Sequence, residues 1–411
     1  MLHKIDQSKL GSRGEEVSHA ISSCVHCGFC LPTCPTYIVM GEEMDSPRGR
    51  IFLMKEVLEG SLEADSAQAT IDNCLGCQAC VTSCPSGVEY GELINSYRAW
   101  REKDRKRNLI DKTQRQLLLH TLPYPDRLRK ALFASKLGKP IAGMLPESMR
   151  AMLNLAPTQV PSAMPLDSHY PVDGKPRARV ALLSGCAQQV LAPEINLAVV
   201  ELLNRHGVEV LIPPAQGCCG SLAMHIGEEE SALKSARNNL EAFPVEVDAI
   251  ISTAAGCGSG IKESDLLFKG QPEEDSARDF AKQTMDITVF LDQLGYEPPE
   301  SGNPLRIVYH DACHLAHAQG IRAAPRRLLR AVPGLTLLEP QEWEVCCGSA
   351  GTYNIEHPNV ADELGNRKLD NLLAEKPDMI VSGNIGCIMQ LRQQLAQRNL
   401  DIPVLHTAQV I

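Results

Sequence analysis

Sixteen cysteines stand in this 411-residue chain, and eight of them fall in two runs of identical spacing. Cys24, Cys27, Cys30 and Cys34 lie at offsets of three, three and four, with Pro35 behind the last; Cys74, Cys77, Cys80, Cys84 and Pro85 repeat the pattern 50 residues later. Thiolates spaced this closely turn around a single iron–sulfur cube, and the run C-x2-C-x2-C-x3-C-P is a [4Fe–4S] spacing. A zinc site would use two C-x2-C pairs and leave the third cysteine and the proline unexplained. A disulfide framework belongs to short secreted chains, whereas residues 1–10 carry neither an apolar stretch nor a small-residue cleavage site, so no export signal is read there and reduced thiols are expected.

The other eight cysteines form a second duplication. Cys186, Cys218-Cys219-Gly220 and Cys257 are followed by Cys313, Cys346-Cys347-Gly348 and Cys387, at separations of 127, 128 and 130 residues. The elements that must position them are short apolar runs at 180–183, 208–212, 249–252, 306–309, 335–338 and 379–382, read as strands. Helical patterns at 194–205, 325–331 and 360–373 alternate with them. Such alternation predicts parallel sheets covered by helices, with ligands at the C-terminal strand ends.

The first pair of runs is set among helices instead. Ser46-Pro47 is a helix start, Ile51, Met54, Lys55 and Leu58 keep helical spacing, and Gly60 is a stop. Arg48 and Arg50 either lie near the anionic clusters and raise their potential or form a solvated basic turn. Six of the ten residues from Arg98 to Arg107 are basic; they read as a docking surface for an acidic partner or lipid headgroups, or as a solvated helix face. His310, Asp311, His314 and His317 make a polar knot suited to orienting the Cys313 loop, to moving protons near neutral pH, or to plain hydrogen bonding. The segment 256–260 is glycine-rich but matches no nucleotide fingerprint. A net charge of −10 and a pI near 5.7 speak against nucleic acid as a partner, and no run of 18 apolar residues suggests a membrane span.

The expected fold class is therefore α + α/β. A helical module with two [4Fe–4S] clusters covers 1–110, and a proline-rich helical connector covers 111–177. That connector either packs between the domains or offers an amphipathic patch to a membrane or partner subunit. A duplicated α/β domain covers 178–300 and 301–411.

The duplicated runs resemble two-cluster ferredoxins, in which the fourth cysteine of each run ligates the other cluster. That implies Cys24, Cys27, Cys30 and Cys84 on one [4Fe–4S] cube, and Cys74, Cys77, Cys80 and Cys34 on the other. Gly217-Cys218-Cys219-Gly220, Tyr309-His310-Asp311-Ala312-Cys313-His314 and Val345-Cys346-Cys347-Gly348 resemble the cysteine-rich CCG domain. That domain is shared by heterodisulfide reductases and iron–sulfur subunits of flavin-linked 2-hydroxyacid and glycerol-phosphate oxidoreductases. With Ser46-Pro47-Arg48-Gly49-Arg50, the whole chain resembles the iron–sulfur subunits of bacterial glycolate oxidases. The resemblance implies an electron-transfer subunit, inactive alone and without catalytic residues of its own. FAD would sit only on partner flavoprotein subunits that oxidise glycolate to glyoxylate, a quinone or other acceptor would receive the electrons, and the site of action would be the cytoplasm or the cytoplasmic face of the inner membrane. Equivalent subunits of lactate or glycerol-3-phosphate dehydrogenases, and a self-sufficient disulfide reductase, are the alternatives. One departure stands out. The reductase motif ends in C-x2-C, whereas here Cys257 is followed by Gly258-Ser259-Gly260 and Cys387 by Ile388-Met389-Gln390. The eight cysteines Cys186, Cys218, Cys219, Cys257, Cys313, Cys346, Cys347 and Cys387 are then read as a further cluster site in each half, as one cluster shared between the halves, or as a redox-active or structural thiol group.

Overall fold

A computed structural model describes residues 4–138, 143–144, 146–157 and 159–411. Ser46-Pro47 opens the helix Pro47–Glu59: the Ser46 hydroxyl accepts from the Gly49 N–H at 3.0 Å, and Gly60 closes the helix in a left-handed conformation. Around it stand Gly14–Ser22, Ala64–Asp72 and Tyr90–Asp104. Their facing apolar stripes (Val17, Ile21, Met54, Leu58, Ile71, Leu93, Ile94) form one core, with Cys74 and Cys80 at its edge.

The connector carries the helices Leu109–Thr121, Pro125–Gly138 and Glu147–Leu155; Pro140, one of its prolines, lies outside the described residues. Leu118 is buried and Leu119 packs against Met224 and Phe268 of the first sheet domain, so packing between modules is the connector's main role. Leu109, Ile110, Leu117 and Phe133 remain exposed.

The remainder is two parallel sheets. The first holds β1 (His169–Tyr170), β2 (Ala178–Leu183), β3 (Val208–Leu211), β4 (Ala249–Ser252) and β5 (Thr284–Asp286) in the order β1-β3-β2-β4-β5, with β1 alone antiparallel. The second holds β6 (Leu305–His310), β7 (Leu335–Leu338), β8 (Met379–Ser382) and β9 (Val404–His406) in the order β7-β6-β8-β9. Setting β1 aside, the two orders are the same. Register repeats as well: Val180 lies opposite Val210 and Ala249, and its counterpart Ile307 lies opposite Leu337 and Met379. Helix faces from both halves, with Val199, Leu203 and Leu291 on one side and Leu328, Leu369 and Leu391 on the other, share a single core. The strands run apolar on both faces, as sheets covered on both sides do. β5 and β9 answer to no sequence signal, because three residues are too few to show a period.

Candidate metal centres

Each ferredoxin-type run leaves a helix end: Cys24 follows Gly14–Ser22 and Cys74 follows Ala64–Asp72. In both runs the second and fourth residues past the first cysteine are left-handed: His26 (φ 54°) and Gly28 (87°), Gly76 (66°) and Gln78 (60°). Holding side chains there costs of order 1 kcal/mol or more each. The turns aim backbone N–H groups at sulfur, as in the 3.4 Å bond from Gly76 N–H to Cys74 Sγ. A similar contact, Val88 N–H to Cys84 Sγ at 3.5 Å, supports the end of the second run.

Cys24, Cys27, Cys30 and Cys84 line one small cavity with Arg48 and Ile51, and Cys80 also reaches it. Cys27 is exposed, whereas Cys34, Cys74, Cys77 and Cys80 are all buried. Burial pushes the Cys30 thiol up to about 11, and pushes Cys77 and Cys80 well above their ordinary value. At Cys74 burial acts the same way. The Arg50 and Arg98 guanidiniums, the Gly76 N–H and the Tyr90 hydroxyl outweigh it, and the thiol lies below its ordinary value.

Arg50 is buried beneath this second set and is not part of a solvated turn. It donates to Thr70 O (2.7 Å), Thr36 Oγ1 (3.0 Å) and Asp45 Oδ1 (3.0 Å), and its Nη1 lies 3.9 Å from Cys34 Sγ. Arg48 sits nearer the surface, donating to Glu43 at 2.8 Å and to the His26 carbonyl at 3.1 Å.

The four arginines of the basic run are engaged within the chain, while Lys103 and Lys106 are exposed. Arg98 donates to the carbonyls of Ile71, Cys74 and His225. Arg101 pairs with Asp65, Arg105 with Asp72 at 2.6 Å, and Arg107 with Glu102 at 2.7 Å and Asp111 at 2.6 Å. Arg98, Arg101 and Arg105 therefore fasten the helix Tyr90–Asp104 and its end to the helix Ala64–Asp72, Arg98 also reaches the sheet domain, and Arg107 links that helix to the connector helix Leu109–Thr121.

In each half of the sheet domain four cysteines converge from three strand ends. Cys186 follows β2, Cys218 and Cys219 follow β3, and Cys257 is the third residue of the helix Ala255–Lys262 after β4. Cys313, Cys346, Cys347 and Cys387 repeat this after β6, β7 and β8, the last on the helix Ile385–Gln397. Cys186 and Cys218 sulfurs lie 3.6 Å apart, Cys313 and Cys346 3.9 Å, and all are free thiols. Neighbouring thiols (Cys218 and Cys257; Cys346 and Cys387) donate to Cys219 and Cys347 and hold both well below the ordinary thiol value. The donating thiols Cys218, Cys257, Cys346 and Cys387 are themselves raised well above it by hydrogen bonds among the thiols and by burial. Four soft donors around one point fit an iron–sulfur group.

The glycine of each Cys-Cys-Gly is structural. Gly220 has φ 86°, and a Cβ there would meet Ala232 O at 2.9 Å; Gly348 has φ 87°, and a Cβ would meet Ala361 O at 2.4 Å. Where the reductase pattern has a fifth cysteine, a Cβ on Gly260 would sit 1.9 Å from Ser221 Oγ. The Gln390 side chain is turned to Ala361 O at 3.2 Å. Neither half has a thiol in that place.

The polar knot divides its work. Asp311 pairs with Arg326 at 2.6 and 2.8 Å. His314 meets Ser259, and His317 bonds Thr82 at 2.8 Å and Glu344 O at 3.1 Å, reaching across to the helical module. Burial pushes His314 down to about 4, which favours the neutral ring near pH 7. His310 is buried beside Cys347 and Cys387.

The two kinds of site meet. Leu75, Cys77 and Ala79 pack in one cluster with Cys313, Val345 and Cys346. A cavity of about 340 Å³ beside them is lined by Cys74, Cys186, Cys218, Cys219, Cys257 and Cys313, with Arg98, Arg115, His225 and Tyr353. Arg115, His225 and Tyr353 carry no sequence signal, because they come from separate elements and share no local pattern.

A helical module with two four-cysteine sets, abutting a duplicated sheet domain with two more, defines an iron–sulfur electron-transfer protein. The comparisons with known proteins agree. The family model described as "4Fe-4S dicluster domain" matches residues 20–88, and the "Cysteine-rich domain" model matches 180–262 and 307–392. The chain is 35% identical to the glycolate oxidase iron–sulfur subunit of Escherichia coli (strain K12), over 93% of this chain and 92% of that one. It is 34% identical to the probable glycolate oxidase iron–sulfur subunit of Bacillus subtilis (strain 168), over 95% and 93%. It is 32% identical to lactate utilization protein A of Oceanobacillus iheyensis, over 57% of this chain and 96% of that shorter protein. A crystal structure of a hypothetical protein from Helicobacter pylori shares the fold, with a TM-score of 0.57 at 11% identity, over 97% of this chain and 72% of that one. This chain belongs to the family of glycolate oxidase iron–sulfur subunits. Among the described residues no helix is long and apolar enough to cross a membrane.

Proposed function

We propose that this chain carries electrons from a flavoprotein that oxidises glycolate to glyoxylate toward a quinone or other acceptor. One-electron transfer is the chemistry that iron–sulfur clusters supply when bound. Cys24, Cys27, Cys30 and Cys84 would hold the first cube, at the surface. Val25 and Phe29 beside them, each 67% exposed, offer an apolar face for the flavin-bearing partner. Cys74, Cys77, Cys80 and Cys34 would hold the second cube away from water, and Cys186, Cys218, Cys219 and Cys257 with Cys313, Cys346, Cys347 and Cys387 would hold the terminal sites. In this reading 1–110 is the wire, 111–177 a brace, and 178–300 and 301–411 the two terminal repeats. FAD belongs to the partner subunits. The exposed edge of Leu109, Ile110, Leu117 and Phe133 suits a peripheral seat on the cytoplasmic face of the membrane.

The observation that carries this reading is the packing of Leu75, Cys77 and Ala79 on Cys313 and Cys346, which brings the second ferredoxin-type set against the second-half set. The test is iron and acid-labile sulfide in anaerobically purified protein, with electron paramagnetic resonance of the reduced state. About eight irons belong to the two cubes, and more to loaded terminal sites; zinc without sulfide overturns the reading. The lactate utilization relative keeps a lactate-oxidising partner as a second reading, settled by which flavoprotein co-purifies.

A further inference from the structure

We infer that His310 is a fifth ligand of the metal site in the second half, making that site a mixed thiolate–imidazole centre while its twin in the first half is thiolate only. The inference rests on the reading that Cys313, Cys346, Cys347 and Cys387 hold an iron–sulfur cluster.

His310 is the last residue of β6, three before Cys313, and is 2% exposed. Its ring offers a nitrogen that lies, with the Cys347 and Cys387 sulfurs, within a sphere of mutual separations no larger than 4.8 Å. The ring already contacts the Cys347 sulfur, and its Nε2 is buried without a hydrogen-bond partner of its own. A buried imidazole nitrogen with no partner is costly, and native structures give nearly every such group one. A metal ion bound by the adjacent thiolates would complete it. Asp311, the next residue, is already engaged by Arg326, and Asn384 donates to Cys387 Sγ at 3.3 Å, so neither competes for the ring.

The duplication supplies an internal control. The residue at the same place in the first half, last in β2 and three before Cys186, is Leu183. Strand register agrees: Leu183 lies opposite Ser252, and His310 opposite Ser382. Leu183 packs in one apolar cluster with Cys219 and Cys257, the counterparts of the two cysteines that His310 adjoins. One position in one fold thus presents a hydrocarbon to the first thiol set and a nitrogen donor to the second. Neither half has a fifth thiol to fill this role, since Gly260 is closed off by Ser221 and Gln390 points elsewhere. The second-half site is the one whose cysteines pack on Cys77.

The experiment compares the full chain, purified anaerobically, with and without selective ¹⁵N-histidine labelling, and adds H310L and H310C. Iron and sulfide report whether the terminal sites are loaded; pulsed electron paramagnetic resonance reports the ligand. The expected result is a strongly coupled nitrogen that changes with ¹⁵N-histidine, is absent in H310L, and is absent in H310C while that variant keeps its iron. A loaded second site with no histidine nitrogen overturns the inference and leaves the cluster reading standing. Iron for two cubes alone overturns the cluster reading and the inference with it. The labelling arm uses the unaltered protein, so it decides the matter even if a variant fails to fold.

Discussion

Replacing Arg50 by Gln should lower the potential of the cube assigned to Cys74, Cys77, Cys80 and Cys34. Its Nη1 lies 3.9 Å from Cys34 Sγ, and the guanidinium is almost wholly screened from water, at 1% exposure. At an effective dielectric of about 20, a unit charge at 3.9 Å is worth about 4 kcal/mol, and at twice that distance about 2 kcal/mol. The added electron spreads over the whole cube, so the true separation falls between these. At about 2.3 kcal/mol per 100 mV the expected fall is about 90 to 180 mV. Asp45, which pairs with Arg50 at 3.0 Å, is left behind as a buried carboxylate whose charge opposes reduction of the cube. The double variant D45N/R50Q should recover part of it, because it removes the opposing charge as well. Anaerobic redox titration followed by electron paramagnetic resonance measures all three proteins. A folded R50Q protein whose buried cube keeps the wild-type potential would refute the electrostatic argument.

Three further outcomes are expected. Cys24→Ser and Cys84→Ser should disturb the same spectroscopic cluster, and loss of different clusters would show that the runs do not cross. Burial raises the Glu263 carboxyl, held by Gln78 and Asn95 at the junction of the modules, to about 7 from 4.5. Because the folded value exceeds the unfolded one, the contribution is present below 4.5 and lost as pH rises through about 7, some ~3 kcal/mol in all. Thermal unfolding should therefore show stability falling across that window in the wild type and a flatter profile in E263Q. Gly348→Ala, which would bring a Cβ to 2.4 Å from Ala361 O in a left-handed turn, should cost upwards of ~2 kcal/mol and empty the second-half site; a melting temperature and iron content like those of the wild type would contradict this.

Local signals carried much of the fold. The helix from Pro47 to Glu59 is legible because Ser46, Pro47 and Gly60 each act within one turn. The helix Glu194–Arg205 is legible from its apolar period, and the strands ahead of each cysteine from their unbroken apolar runs. What was not legible depends on residues distant in sequence. The basic run looked like a free patch because Asp65 and Asp72, the partners of Arg101 and Arg105, lie on another helix. The fate of Arg50 was undecided for the same reason, since Thr36, Asp45 and Thr70 must close around it. The cysteine count could show that a fifth thiol is missing, but not that Ser221 fills the space beside Gly260. The contrast between Leu183 and His310 was present in the sequence, yet it acquires meaning only when both are seen to end equivalent strands.

The central claim is that electrons from a glycolate-oxidising flavoprotein pass through this chain's thiol sites. The most direct measurement mixes the anaerobic, oxidised chain with its co-purified flavoprotein subunits, adds glycolate, and records cluster signals by freeze-quench electron paramagnetic resonance. Signals from reduced clusters should grow in with glycolate only when both components are present, and should vanish when a quinone is supplied. Clusters that stay oxidised in the intact complex while glycolate is consumed would contradict the account.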